Sequence, residues 1–143
     1  MRMLKPASAA AIVAVLGLTI IAGCQKGTKL VPVEGKVTLD GKPLADAAVL
    51  LSPTRGNGPG PFVGTTNGEG RFSLGPVGKE RGGAAPETYI VAITTVKADP
   101  NSPDGAPPPG QKEVVPAKFR DGSERFVVPE GGTKEATFAI KTR

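Results

Sequence analysis

The sequence predicts an all-β protein, an antiparallel β-sandwich of approximately seven strands that follows an N-terminal signal segment. Three observations support this prediction. Short runs of alternating or continuous apolar residues recur between residues 33 and 141, turn sequences rich in glycine, proline, asparagine and aspartate separate them, and no segment after the signal has a helical period. Short strands with regular turn signals are typical of an antiparallel sandwich.

The first 23 residues have the three parts of a secretory signal. Arg2 and Lys5 supply positive charge, residues 7–21 form an apolar middle, and Ala22-Gly23 ends it with small side chains. The alternative is an uncleaved membrane span, but the apolar stretch is shorter than the roughly 20 residues that a spanning helix needs. We therefore expect residues 1–23 to be a signal peptide that is removed.

Cys24, the only cysteine of the chain, directly follows this segment. The tetrapeptide Ile21-Ala22-Gly23-Cys24 resembles the lipobox of bacterial lipoproteins. The resemblance implies cleavage between Gly23 and Cys24, covalent lipid such as palmitate on Cys24, and a membrane partner reached through that lipid. Several acyl chains anchor a protein stably, whereas one binds only marginally. We expect residues 24–31 to be a tether and residues 32–143 to be the sandwich domain.

The localisation expected from this anchor is the cell envelope. Gln25 follows the cysteine, where an aspartate marks inner-membrane retention in enterobacterial-type lipoproteins. The outer membrane, at its periplasmic or surface face, is therefore preferred over the inner membrane.

The first half of the domain contains four predicted strands. In Val33 to Leu39 the odd-numbered residues are apolar or glycine, which predicts a half-buried strand, and Asp40-Gly41 suits the positive φ angles of a tight hairpin. Ala47 to Pro53 is apolar on both faces, which predicts a more enclosed strand. Phe62 to Thr66 and Arg71 to Leu74 are expected to form a second hairpin across the turn sequence between them.

The second half begins with the strongest strand signal, Thr88 to Val96, which is largely apolar on both faces and is placed centrally in its sheet. Ala98 to Gln111 is rich in proline and is expected to be an extended or mobile surface loop. Val114 to Phe119 is a short edge segment at best. The last predicted strands are Arg125 to Val128 and Lys134 to Lys141, the latter with Ala136, Phe138 and Ile140 facing inward.

Several of these segments together resemble a known domain family. The succession from Val33 to Val49 resembles the opening of carboxypeptidase regulatory-like domains of the transthyretin-like superfamily, and Thr66 to Leu74 resembles their second signature. Tyr89-Ile90-Val91 and Val115 to Phe119 continue the match in order. With the lipobox, the chain is similar to small lipoproteins of planctomycete-type bacteria. The resemblance implies a prealbumin-like β-sandwich of about seven strands.

The side chains offer little for catalysis. There is no histidine, so the usual general base, zinc ligand and nucleophile partner are missing. Hydroxyisourate hydrolase, the enzymatic relative within the superfamily, depends on histidines that this chain lacks. The third alternative is a hydrolase that uses a pair of carboxylates as acid and base. The candidate acids, however, stand beside glycine, proline or alanine, as turn-forming residues do. They are Asp40, Asp46, Glu69, Asp99, Asp104 and Asp121. We predict no catalytic residues, no enzyme activity and no cofactor apart from the lipid on Cys24.

Metal and nucleic-acid binding are also not predicted. Asp99 to Gly105 offers oxygen ligands at close spacing, but its prolines do not match a calcium loop. Asn67 stands where the family often has aspartate, which argues against calcium at that turn. Removing Arg2 and Lys5 from the 18 basic residues leaves 16 against 13 acidic ones, and no basic cluster is interleaved with aromatic residues.

The function expected from the sequence is that of a lipid-anchored, non-enzymatic envelope protein acting as a structural or protein-interaction module. Its contact surfaces would be sheet edges or the loops Arg55 to Pro61 and Ala98 to Gln111. The alternative is a carbohydrate-binding or adhesive module at the cell surface. Glycan sites usually present flat aromatic side chains, whereas this chain has no tryptophan and its tyrosine and phenylalanines fit buried positions. The sequence does not decide whether the partner is an envelope protein or a glycan. It also does not identify the ligand-binding residues or the oligomeric state.

Overall fold

The computed structural model describes residues 28–79 and 81–143. These residues form two β-sheets and one turn of 3₁₀ helix, Ala117–Phe119. The strands, in chain order, are β1 Val33–Leu39, β2 Lys42–Pro43, β3 Ala48–Pro53, β4 Phe62–Thr65, β5 Arg71–Ser73, β6 Gly75–Pro76, β7 Thr88–Thr94, β8 Arg125–Val127 and β9 Thr133–Ile140. The predicted all-β class is confirmed, with nine strands in the described residues, of which β2 and β6 have two residues each.

The four-stranded sheet is built around β1. Strands β2 and β5 pair with β1 in antiparallel orientation, and β9 pairs with it in parallel, with Val37 opposite Phe138. The expectation of a wholly antiparallel arrangement is wrong at this pair. The reason is the route of the chain: the Thr133 N–H donates to the Pro32 carbonyl at 2.8 Å, so β9 enters the sheet at the end where β1 begins.

The five-stranded sheet is antiparallel throughout, in the order β6, β4, β3, β7, β8. Strand β3 lies at its centre and β7 beside it, so both strands that were predicted to be enclosed are interior. Tyr89, Val91 and Ile93 of β7 are fully buried, whereas the alternate residues of β7 are half-buried. One face of this sheet therefore forms the core, and the other is partly covered.

The turn after β1 has the predicted geometry. Asp40 and Gly41 have φ angles of 50° and 82°, and Leu39 pairs with Lys42 across them. The hairpin partner is the short β2, because the chain then crosses to the other sheet to form β3.

The second predicted hairpin, between β4 and β5, is wrong. The turn itself is tight, with the Gly70 N–H donating to the Asn67 carbonyl at 2.9 Å. However, β4 pairs with β3 and β6, whereas β5 pairs with β1 in the other sheet. A period of two residues shows which side chains share a face but does not show which strand lies alongside.

A single hydrophobic core includes residues of both sheets. Phe138 of β9 stacks on Phe72 of β5 with ring centroids 5.9 Å apart and meets Phe126 of β8 edge-on at 5.5 Å, which connects the two sheets. Phe62 meets Tyr89 edge-on at 5.7 Å. The predicted core positions of the tyrosine and the phenylalanines are confirmed, with Phe126 and Phe138 only partly buried.

The chain enters the fold and forms its longest loop at opposite ends. Val31 and Ala84 exchange two backbone hydrogen bonds of 2.9 Å, so the entering chain lies beside the segment that leads into β7. Residues 98–111 leave β7 at its other end, about 20 Å along the strand, and form no strand, as predicted. The segment 114–119 forms no edge strand, and its last three residues form the 3₁₀ turn.

Candidate functional site

The predicted lipidation site lies outside the described residues. Cys24, Gly23 and the remainder of the predicted signal peptide precede residue 28, where the description begins. Val31, at the end of the predicted tether, is buried in the core. Within residues 28–79 and 81–143, no helix has the length and apolar character needed to span a membrane.

The candidate acidic residues are turn formers, as predicted. Asp40 accepts hydrogen bonds from the backbone N–H and hydroxyl of Thr142, at 3.0 and 2.7 Å, and these bonds lower the pKa of the Asp40 carboxyl. Asp121 accepts from the hydroxyl and N–H of Ser123, which lowers its pKa in the same way. Each of these carboxylates therefore stabilises its own turn or the chain terminus.

The segment from Asp99 to Gly105 also directs its oxygens to local bonds. Asp99 accepts from the Asn101 N–H at 2.8 Å, and Asp104 accepts from the Ser102 hydroxyl and the Ala106 N–H. In the part of the chain that the structure describes, no three residues among histidine, cysteine, aspartate and glutamate are grouped as metal ligands would be.

The most extensively bonded carboxylate is Glu113, which the sequence analysis did not single out. Its side chain, 19% exposed, accepts from the hydroxyls of Thr94 and Thr95 and from the N–H groups of Thr95 and Val115. Burial by itself would raise the pKa of Glu113, but these hydrogen bonds outweigh it and lower the pKa to about 2. Glu113 thus holds the segment that follows the proline-rich loop 98–111 against the end of β7.

Glu113 is expected to stabilise the fold above about pH 4.5 and to lose this effect in acid. A carboxyl whose pKa is lower in the folded state stabilises the fold above its unfolded pKa of about 4.5 and loses that effect as the pH falls toward about 2. The contribution is at most about 3 kcal/mol, because one pKa unit corresponds to about 1.4 kcal/mol. Urea unfolding of the wild type and Glu113→Gln at stepped pH is expected to show a difference at pH 6 that shrinks by pH 2. Parallel pH profiles of the two proteins would contradict this assignment.

A groove of about 680 Å³ lies between β4 and the β1–β5 pair. Its charged lining residues are Arg71, Lys79, Arg81 and Glu34, which gives three cations and one carboxylate. A second, smaller concavity of about 330 Å³ continues across the sheet toward β9 and shares Gly35 and Arg71 with the first. We call the two together the basic groove.

Two cations face each other within the basic groove. Lys36 of β1 and Arg71 of β5 are direct cross-strand partners. The Arg71 side chain is 66% exposed, and its only ion pair with a described residue is a 3.9 Å contact to Glu69, itself 79% exposed. Like charges at directly opposite positions are destabilising, and a solvent-exposed pair such as Arg71–Glu69 offsets little of this.

The backbone edge of β5 beside the groove is already occupied. Asn67 donates its N–H to the Arg71 carbonyl at 2.8 Å, and its side-chain Oδ1 accepts from the Arg71 N–H at 3.0 Å. A Cβ on Gly64 would lie 2.5 Å from the Ser73 carbonyl oxygen, so β4 lies against this edge without a side chain between. An added strand therefore has no free place on β5.

The sequence carries only a weak signal for this groove. Glu34 and Lys36 are recognisable as outward residues of β1, and Arg71 as an outward residue of β5, from the period of two. Their association requires β5 to pair with β1 rather than with β4, which the sequence analysis did not predict. Lys79 and Arg81 lie in a glycine-rich connector whose path the sequence does not specify.

Comparison with known proteins gives no relative: no family model, no curated protein and no solved structure matches this chain.

Proposed function

We propose that this protein is a lipid-anchored, non-enzymatic component of the bacterial cell envelope that acts as a structural or protein-interaction module. The observation that carries the proposal is the sequence Ile21-Ala22-Gly23-Cys24 at the end of an apolar segment. It supports removal of residues 1–23, lipid on Cys24 as the sole covalent group, and envelope localisation, with the outer membrane preferred.

The fold that we propose is a prealbumin-like β-sandwich of the carboxypeptidase regulatory-like type over residues 32–143. In its support, seven of the nine described strands are longer than two residues, and they lie in two sheets around one core. The order of the motifs quoted from the sequence points the same way.

An anchor at Cys24 would orient the domain relative to the membrane. Val31, the last residue of the proposed tether 24–31, is fixed in the core. An extended chain spans at most about 3.6 Å per residue, so the seven residues before it reach no more than about 25 Å. The end of the domain at Val31 would face the membrane at short range, and the loop 98–111, which leaves the opposite end of β7, would face outward. This loop is the part of the described chain best placed to meet a partner.

The anchor is tested by replacing the cysteine. We expect Cys24→Ala to abolish incorporation of labelled palmitate and to move the protein out of the membrane fraction, because no other thiol can accept the lipid. Gln25→Ala, which changes the neighbouring residue and leaves the thiol intact, is expected to retain both properties. Unchanged palmitate incorporation and membrane fractionation in Cys24→Ala would overturn the anchor.

A second candidate function is binding of a glycan. The observation that favours it is the basic groove, in which Lys36 and Arg71 lie directly opposite each other on neighbouring strands. A binding assay on purified peptidoglycan and polysaccharides distinguishes the candidates: saturable glycan binding favours this one, and a specific co-purifying envelope protein without glycan binding favours the first.

A further inference from the structure

We propose that the basic groove binds a glycan that carries carboxylate groups, such as a chain of uronic acids. The inference rests on the second candidate function above and names its site and ligand class. It does not require the lipid anchor, so the two proposals fail independently.

The charge of the groove is the first argument. Lys36 and Arg71 are held about 5 Å apart at their Cβ atoms by strand pairing, and no described carboxylate forms an ion pair with Lys36, Lys79 or Arg81. Glu34 and Glu135 line the same groove, but neither forms an ion pair with a described residue. A bound carboxylate would reverse the repulsion, since a guanidinium and a carboxylate form paired hydrogen bonds.

The remaining lining of the groove suits a hydroxyl-rich ligand. Thr65, Ser73 and Thr137 contribute hydroxyl groups, and Glu34 can accept hydrogen bonds from sugar hydroxyls. Phe72 lines the groove but is only 4% exposed, so a sugar ring cannot stack on it. Recognition would therefore depend on charge and hydrogen bonds, which explains how a glycan could bind without an exposed aromatic side chain.

The size and continuity of the groove indicate an extended ligand. A concavity of about 680 Å³ lies within the usual range for ligand sites, roughly 300–1,000 Å³. The second concavity extends it past Lys36 to Lys134 of β9. The two concavities together are lined by five cations and by the carboxylates Glu34 and Glu135, so an acidic sugar chain would meet cations in both.

Along β5, the groove suits a glycan better than an acidic peptide. Extended peptides commonly bind by adding a strand to a free sheet edge. Here Asn67 satisfies both backbone groups of Arg71, and Gly64 lies against the Ser73 carbonyl. A peptide on β5 would have only side-chain contacts, whereas a sugar chain needs no backbone pairing.

The test uses the full-length protein as purified from cells, with or without lipid, in the presence of nanodiscs of neutral phosphatidylcholine. Binding of an oligogalacturonate of about six units is compared with that of a neutral oligogalactan of the same length, a hexaglutamate peptide and vesicles of phosphatidylglycerol. The variants are Arg71→Gln and Lys36→Gln. The matched control is Lys97→Gln, directly before the loop 98–111 and outside the groove lining. Thermal unfolding verifies that each variant is folded.

We expect saturable binding of the oligogalacturonate, weakened about tenfold or more by Arg71→Gln and changed less than about twofold by Lys97→Gln. Raising sodium chloride from about 50 to about 500 mM is expected to weaken it strongly. The inference is overturned if the neutral oligogalactan binds equally well, if hexaglutamate or the anionic vesicles bind more tightly, or if both groove variants bind like the wild type.

Discussion

Replacing Gly83 with alanine is expected to lower the free energy of unfolding by about 3 kcal/mol or more. A Cβ at this position would lie 2.0 Å from the carbonyl oxygen of Val31, and the φ angle of Gly83 is 81°. Neither the Val31 backbone nor the Gly83 backbone can move easily to relieve this contact. Val31 is buried and bonded to Ala84, and the Gly83 N–H donates to the Leu74 carbonyl at 2.8 Å. The substitution would therefore separate the entering chain from the segment that precedes β7.

Gly78→Ala is the matched control for this prediction. Gly78 lies in the same connector and has a similar φ of 85°, but nothing lies within 4 Å of the added Cβ. It is expected to cost only the backbone strain, about 1 kcal/mol. Urea unfolding of the two variants measures the difference, and equal destabilisation would show that the contact with Val31 is not as close as described.

Replacing Tyr89 with alanine is expected to destabilise the protein by about 3–5 kcal/mol, the range for a fully buried aromatic residue. The ring is fully buried and meets Phe62 edge-on, and its hydroxyl donates to the Ala85 carbonyl at 2.8 Å. The hydroxyl of Tyr89 is therefore enclosed in the core together with the ring.

Tyr89→Phe separates the hydrogen bond from the packing. It keeps the ring and leaves the Ala85 carbonyl without this donor, so we expect a loss of about 1–2 kcal/mol in the same unfolding experiment. A loss as large as that of the alanine variant would contradict this division.

The titration of Tyr89 gives an independent measurement. Burial, with a smaller contribution from the charge of Glu87, raises the pKa of Tyr89 from 10 to about 12. A raised pKa stabilises the fold below pH 10, and this stabilisation is lost as the pH rises through about 12. Because Tyr89 is the only tyrosine and the chain has no tryptophan, the ultraviolet absorbance of tyrosinate reports this residue alone. A midpoint near pH 10 in the folded protein would show that the hydroxyl is exposed.

The strands and their inward faces could be predicted because each depends on local pattern. Alternation along β1 and β9 identified Val33, Val37, Ala136 and Ile140 as inward residues, and all are buried. The Asp40-Gly41 pair identified a turn because few residues adopt positive φ angles without strain. These features depend on properties of residues within a few positions of one another.

The interactions of Glu113 and of the basic groove could not be predicted in this way. Glu113 binds Thr94 and Thr95, which are nearly twenty positions away across a loop without a regular pattern. Lys36 and Arg71 are adjacent only because β5 crosses to the sheet of β1. Such contacts depend on which sheet each strand joins.

By itself, the sequence determined the all-β class, the positions of most strands, the inward residues and the turns, because burial of alternate side chains and the φ preferences of turn residues act locally. The tertiary structure alone decided that β9 runs parallel to β1, that β4 and β5 separate, and that cations from distant segments line one groove. The physical reason is that a strand with one apolar face satisfies the hydrophobic effect against either sheet. Its partner is selected only by the packing of the whole core.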